Sequence, residues 1–395
     1  MVRRRRLLAV GGAAAVTLLL AACGGGGGSE SSNGKQAKIG LIGPKSGAAQ
    51  FYWTELSRGI ELAQPDVKSA FGVTFDLEEA DDKGSPEVAS RSVQTLLNEE
   101  NVDAIFGPSQ SGPSLQVAET IQRTGRPWLV PIAAADQIIA PNASPNWAFR
   151  TNNNNSDAIA VSANYLWAKP DAKVGIFYGA DAYGQSNNDL LKAYTKAHGK
   201  TIAAGEVVQP GATDVSPAAQ RMKNAGVTSV FIAVSTGADN ATVVKALKQV
   251  GLAPERTLAT ATTLTGFTAL ATPADWKNLV FLEPRDLTGG PFTTLVQRYQ
   301  AKYGKQPTSA VAVFTTYTAA YLYAQAVAKV GDASKHDEVR EAMENTGQLK
   351  ILGQVFDKPF SAKDHELYEA DPSSWYTIGF DPQGRTTTVG KVAQG

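Results

Sequence analysis

The chain has 395 residues, with 37 Lys and Arg balanced by 37 Asp and Glu, three histidines and one cysteine. Loss of the four arginines at 3–6 with a leader segment would leave a net charge near −4, which argues against a nucleic-acid or polybasic membrane-surface role. One cysteine rules out an internal disulfide. Dispersed histidines and the lack of a phosphate or dinucleotide loop after any strand leave no metal, cofactor or catalytic triad to expect, so the chain reads as a non-enzyme.

Residues 1–22 read as a signal peptide, with basic residues at 3–6 and an apolar run at 7–20 that is short for a membrane span; Sec or twin-arginine export would both fit. The run ends at Leu20-Ala21-Ala22-Cys23. Residues 24–34, glycine with serine and asparagine, cannot bury apolar surface and should form a flexible tether with a reach of about 20 Å. Residues 23–36 would thus leash a folded body close to a membrane.

Lys38-Ile39-Gly40-Leu41-Ile42-Gly43 is a short apolar strand, followed by an amphipathic segment at 53–63. A second strand at 73–80 ends in Asp81-Asp82, a pair expected in a solvated loop because neighbours at a strand end point apart. Ser85-Pro86-Glu87 then supplies a helix start. The apolar run 102–106 leads into Gly107-Pro108-Ser109-Gln110-Ser111-Gly112-Pro113-Ser114 and a helix to Arg123. A buried strand, a polar turn and a helix start aim backbone N–H groups and a hydroxyl at whatever sits beyond the strand's C-terminal end, where open α/β sheets bind ligands. Ser111 is the anchor in this reading; it could also simply cap its own helix. Trp128-Leu129-Val130-Pro131 forms a fourth strand running into Ile132-Ala133-Ala134-Ala135.

The pattern then restarts. Residues 173–179 echo the first strand, and 229–237 echo the strand before the polar turn. Helices are predicted at 185–198, from Ser216-Pro217, and at 238–250, 292–303, 315–330 and 336–345, with a strand at 206–208 and a hairpin across Asp381-Pro382-Gln383-Gly384. The alanine-rich stretch 311–330, interrupted by threonines, reads as a buried helix rather than a membrane span. Such alternation implies an α/β chain with parallel sheets covered on both faces, in two doubly wound, Rossmann-like lobes.

Several short motifs then fall in a telling order: the Cys23 lipobox, Ile42-Gly43-Pro44 with Ser46-Gly47, Asp81-Asp82, Gly107-Pro108 with Ser111, Phe149-Arg150-Thr151, Asp181-Ala182-Tyr183-Gly184, and Tyr299 with Lys302-Tyr303-Gly304. In this order the mature chain resembles the branched-chain amino-acid (Leu/Ile/Val) binding lipoproteins of ABC importers, which have the type I periplasmic-binding-protein fold. The resemblance implies lipidation at Cys23, an extracytoplasmic position anchored to the bacterial membrane only by that lipid, an ABC permease as partner and a monomeric state. It implies lobe 1 at 37–151 plus 286–353 and lobe 2 at 152–285 plus 354–395, joined by three crossovers near Thr151, Arg285 and Gly353, with one small solute trapped between the lobes.

Residue by residue, the resemblance puts the carboxylate anchor at Ser111, beside Ser109 and Gln110. Groups after the fourth strand fall at Ile132, Ala133 and Ala134, aromatic walls at Tyr52, Trp53 and Tyr183, and the remaining second-lobe positions at Thr236 and Thr262. Packing is the alternative role for Tyr52 and Trp53. Two positions depart from the pattern. A ligand-binding tyrosine falls near Thr236-Gly237, and the acid that meets an amino acid's ammonium falls in Thr260-Ala261-Thr262-Thr263, which holds no carboxylate. A buried ammonium without a counter-charge costs several kcal/mol. A carboxylate, an aromatic acid or an amide therefore fits the remaining groups, unless Asp181, Asp239 or Glu283 supplies the acid for an amino acid. A ligand-binding receptor or sensor module for the same solutes is the alternative function.

Overall fold

A computed structural model describes residues 35–392, apart from 48, 140–142, 261–266, 277 and 370. The signal segment, Cys23, nearly all of the tether and Thr262 lie outside the described residues.

The first sheet is built from β1 (Lys35–Gly43), β2 (Val73–Asp81), β3 (Ala104–Phe106), β4 (Trp128–Val130) and β5 (Ala148–Arg150), linked by α1 (Gln50–Phe71), α2 (Pro86–Asn98) and α3 (Ser111–Thr124). Its strands are all parallel, in the order β2-β1-β3-β4-β5. Successive strand residues face opposite sides, so Leu41, Phe106 and Leu129 enter the core beneath α1, while Ile42, Ile105 and Trp128 enter a second core against α2 and α3. Helix α1 continues well past the predicted segment at 53–63, through Pro65, and ends at Gly72, which is left-handed and returns its N–H to the Lys68 carbonyl. A proline normally halts a helix, but here Ile60, Ala63 and Val67 keep one face buried across the break.

The second half repeats the plan with α4 (Asn155–Leu166), β6 (Val174–Gly179), α5 (Ala182–Ala197), β7 (Ile202–Val208), α6 (Ser216–Asn224), β8 (Ser229–Ala233), α7 (Gly237–Gln249), β9 (Arg256–Thr260), α8 (Phe267–Leu270) and β10 (Leu279–Glu283). From β7 inward the order is β7-β6-β8-β9-β10, the same sequence of turns as in the first sheet. The chain then returns through α9 (Gly290–Tyr303), α10 (Ala310–Val330) and α11 (His336–Glu344) to a hairpin, β11 (Gln348–Ile351) with β12 (Gln354–Asp357). It finishes as the expected antiparallel pair β13 (Tyr376–Phe380) and β14 (Thr386–Lys391), which extends the second sheet beside β10.

Helix α10 is buried around nearly its whole circumference and packs on α1. The crossing is close because Gly59 has no side chain: a Cβ there would lie 2.7 Å from the Thr316 Cβ. No helix among the described residues is long and apolar enough to cross a membrane.

Polar groups buried at one edge join the two halves. Arg285, paired with Glu283, donates through Nη2 to Asn152 Oδ1 at 2.9 Å and Asn153 Oδ1 at 3.1 Å, and its guanidinium lies 4.9 Å from the centre of the Tyr368 ring. Beside it, the fully buried Arg150 lies 3.2 Å from Glu366 and donates to the Ala135 carbonyl at 2.9 Å. The backbone of 365–367 pairs with β5 through Arg150. The polar residues flanking His365 in sequence predict a surface loop, and the fold corrects that expectation. His365 is buried, stacked on Phe149 with ring centres 4.1 Å apart, and its Nδ1 lies 2.8 Å from the Ala148 carbonyl. Its polar neighbours in sequence conceal a segment that serves as an extra edge to β5.

Glu366 feels this burial: desolvation pushes its carboxyl up to about 7 against the pull of Arg150, with Asp157, Asp136 and Asp364 adding repulsion. Asp157, also desolvated, rises to about 6. Between the ordinary glutamate value near 4.5 and about 7 the folded chain therefore holds protons that the unfolded chain has released. Stability should fall as pH rises through that window. Urea unfolding from pH 4.5 to 8 should show this decline, and Glu366→Gln should flatten it; an unchanged slope would remove Glu366 as its source. In the loop after β3, Gly107 adopts φ 88°, and a Cβ there would sit 2.1 Å from the Ile42 carbonyl oxygen. Gly107→Ala should cost at least about 2 kcal/mol in urea unfolding.

Candidate functional site

The polar turn between β3 and α3 is held from three sides. Gly107 donates its N–H to Leu129 O at 3.1 Å, Trp128 Nε1 donates to Gly107 O at 2.6 Å, and Ser114 Oγ donates to Pro108 O at 3.0 Å. Helix α3 begins at Ser111, and Gln110 occupies the capping position without a side-chain hydrogen bond. Ser111 is therefore not the cap of its own helix. Its Oγ accepts the Ala135 N–H at 3.3 Å, linking the turn to the segment after β4. Pro113 has no N–H, which leaves those of Ser111 and Gly112 ahead of the helical ladder.

Each sheet reverses its winding once, between β1 and β3 in the first and between β6 and β8 in the second. Such points open a crevice at the strand ends, and here the two crevices face each other. Tyr52, Ser109, Gln110, Ser111, Ile132, Ala133 and Ala134 from the first meet Tyr183 and Ser235 from the second around a small pocket of about 30 Å³. The phenol of Tyr52 donates to the Ser235 carbonyl at 2.9 Å, a bond between the halves. Burial first, then the nearby Tyr183 and Asp181, raises the Tyr52 hydroxyl well above the usual tyrosine range, so it remains a donor. A Cβ on Gly112, at the start of α3, would lie 3.9 Å from that of Ala182, at the start of α5.

The remaining expected residues sit elsewhere. Trp53 does not line the pocket: one helical step from Tyr52, it turns aside and lies under the Lys45 ammonium, 4.7 Å from the ring centre. Thr236 is also outside the lining, because it caps α7, accepting the Asp239 N–H at 3.1 Å and donating to Asp239 Oδ2 at 2.7 Å. Thr262 lies outside the described residues. Ser235 takes the place expected for Thr236; the echo between 229–237 and the first polar turn pointed to this segment, but not to the residue that faces inward.

Of the acids considered as replacements, Asp239 is occupied by Thr236 and the Gly211 N–H, and Glu283 by Arg285. Asp181 caps α5 through Oδ1, accepting the Gly184 N–H at 2.9 Å, while Oδ2 accepts the hydroxyl of Ser235. The expectation of a solvated Asp81-Asp82 pair fails at Asp82, which is fully buried. Its N–H is bound to Gly43 O and its Oδ1 accepts the Gly84 N–H, which draws the turn inward. Burial, with Asp81 adding repulsion, pushes its carboxyl up to about 6. No group of three or more His, Cys, Asp or Glu among the described residues is placed to hold a metal ion.

The family model for periplasmic binding proteins matches residues 36–370. A Leu/Ile/Val-binding protein homolog 8 from Brucella abortus is 27% identical over 328 residues, spanning 78% of this chain and 79% of that protein. Among solved structures, the branched-chain amino acid transporter substrate binding protein LivJ from Streptococcus pneumoniae, in complex with isoleucine, aligns with a TM-score of 0.74 at 20% identity, over 90% of this chain and 100% of the other. An ABC transporter solute binding protein from R. palustris, in complex with benzoate, aligns with a TM-score of 0.77 at 20% identity, over 91% and 96%. At these identities the structural likeness is one of fold. Match and architecture agree, and the chain belongs to the periplasmic binding protein family of non-enzymatic solute-binding proteins, with the type I fold.

Proposed function

We propose that the protein is the solute-binding component of an ABC importer, anchored outside the cytoplasm through a lipid on Cys23 and working as a monomer that presents its solute to the permease. The observation that carries this reading is the pocket walled by both halves at their facing switch points. The lobes divide at 37–151 plus 286–353 and 152–285 plus 354–395, with the third passage running on to the residues around 366 that pair with β5. Closure about the buried hinge traps a small amino-acid-like or carboxylate-bearing solute. Ser109, Gln110, Ser111 and the first amides of α3 hold its acid or carbonyl end, and Tyr52 and Tyr183 enclose the rest.

A thermal-shift panel of amino acids, aromatic acids, short keto acids and primary amides tests this, since a ligand of the native state alone raises the melting temperature. One class should stabilise the protein, whereas no response across the panel would defeat the reading. Ser111→Ala should weaken an acid-bearing solute by roughly tenfold while shifting unliganded stability by no more than about 1 kcal/mol; unaltered affinity would remove Ser111 from the site. Cys23→Ser should move the protein from the membrane fraction to the soluble one in fractionated cells, and retention on the membrane would overturn the anchor.

A further inference from the structure

The hydroxyls around the pocket divide into donors and acceptors, because their partners fix where the protons go. A backbone N–H can only donate, so Ser111 Oγ, which accepts from Ala135, keeps its own proton for the pocket. Ser109 Oγ, in a residue 2% exposed, also lines the pocket and has no hydrogen-bond partner. With the first amides of α3, this side is rich in donors.

Where the halves meet, a carbonyl can only accept, so the proton of Tyr52 is committed to Ser235 O and the phenol oxygen offers lone pairs. The proton of Ser235 is committed to the Asp181 carboxylate, so Ser235 Oγ offers lone pairs as well. Backbone acceptors in the segment after β4 are already engaged: Ile132 O accepts from Asn152 Nδ2 at 2.7 Å and Ala134 O from Asn155 N at 2.9 Å. Apart from Gln110 Oε1 in the polar turn, which has no partner, the acceptors around the pocket lie at Ser235 and Tyr52, and only these have a carboxylate directly behind.

We propose that Ser235, backed by Asp181, selects solutes that carry an N–H donor, an ammonium or a primary amide, opposite the carboxylate or carbonyl end held at Ser111. This rests on the solute-binding reading above and narrows it. Asp181 supplies, one hydroxyl removed from the solute, the negative charge that the run around Thr262 lacks. A solute with no donor at that position would leave these lone pairs buried and unpaired, and sites built to bind a polar group discriminate strongly against analogues lacking it.

Matched pairs test the assignment by calorimetry alongside the wider panel: L-leucine against 4-methylpentanoate, L-phenylalanine against 3-phenylpropanoate, and benzamide against benzoate. The N–H-bearing member of at least one pair should bind tenfold or more tightly than its counterpart. Asp181→Asn retains a good helix cap, and together with Ser235→Ala it should shrink that ratio; a merely structural role would weaken both members equally. If only solutes without an N–H bind, or if both members bind alike, the selection role is overturned while the binding protein stands. A panel in which nothing binds defeats the binding reading first, and this inference with it.

Discussion

Arg285 sets the constraint on which the rest of the architecture depends. A guanidinium taken out of water must be surrounded by partners, and those of Arg285 come from separate passages of the chain: Asn152 and Asn153 after the first sheet, Glu283 at the end of β10, and the Tyr368 ring on the final return. The two sheets could tilt in many ways without disturbing their own cores, but few tilts keep all of these groups around one cation. The knot also extends into the cleft wall. Asn152 holds Ile132 O and Arg150 holds Ala135 O, so the segment facing the pocket is fastened to the same residues that connect the halves.

The pocket follows from topology before side chains refine it. Each sheet changes direction beside its first strand, and the two openings are turned toward one another. Short polar turns then supply hydroxyls and amides from one side and an aromatic and a serine from the other. Nothing in that arrangement calls for bond making, in keeping with a family that holds solutes without transforming them.

Much of this could be read from the residues. Strands such as 38–43 and 173–179 are apolar runs ended by turn residues, and the serine-rich turn after β3 declares itself by composition. Other features were hidden for physical reasons. β9 begins with Arg256-Thr257, ends in Thr260, and gains its strand character only between β8 and β10. α4 begins in a run of asparagines that reads as loop until Asn154 is seen capping it. Asp82 and His365 lie in polar surroundings in sequence, yet their neighbours fold over them. At the site, the register of α1 decides that Tyr52 rather than Trp53 faces inward, and which residue of Ser235-Thr236 caps α7 decides which one lines the pocket. Both choices depend on tertiary placement that local sequence leaves open.

The approach of Gly112 to Ala182 has an electrostatic consequence for closure. Each residue stands at the start of its helix, and a helix start carries roughly half a positive charge. Bringing the two together in an empty cleft sets like poles against each other, with Asp181 at the α5 end the nearest group to offset them. A solute's acid end held at the α3 start relieves that repulsion from one side, as the Asp181 carboxylate does from the other. On the proposed function, lobe closure and capture of an acid would draw on one field, and the solute's charge would contribute to shutting the cleft as well as to staying in it.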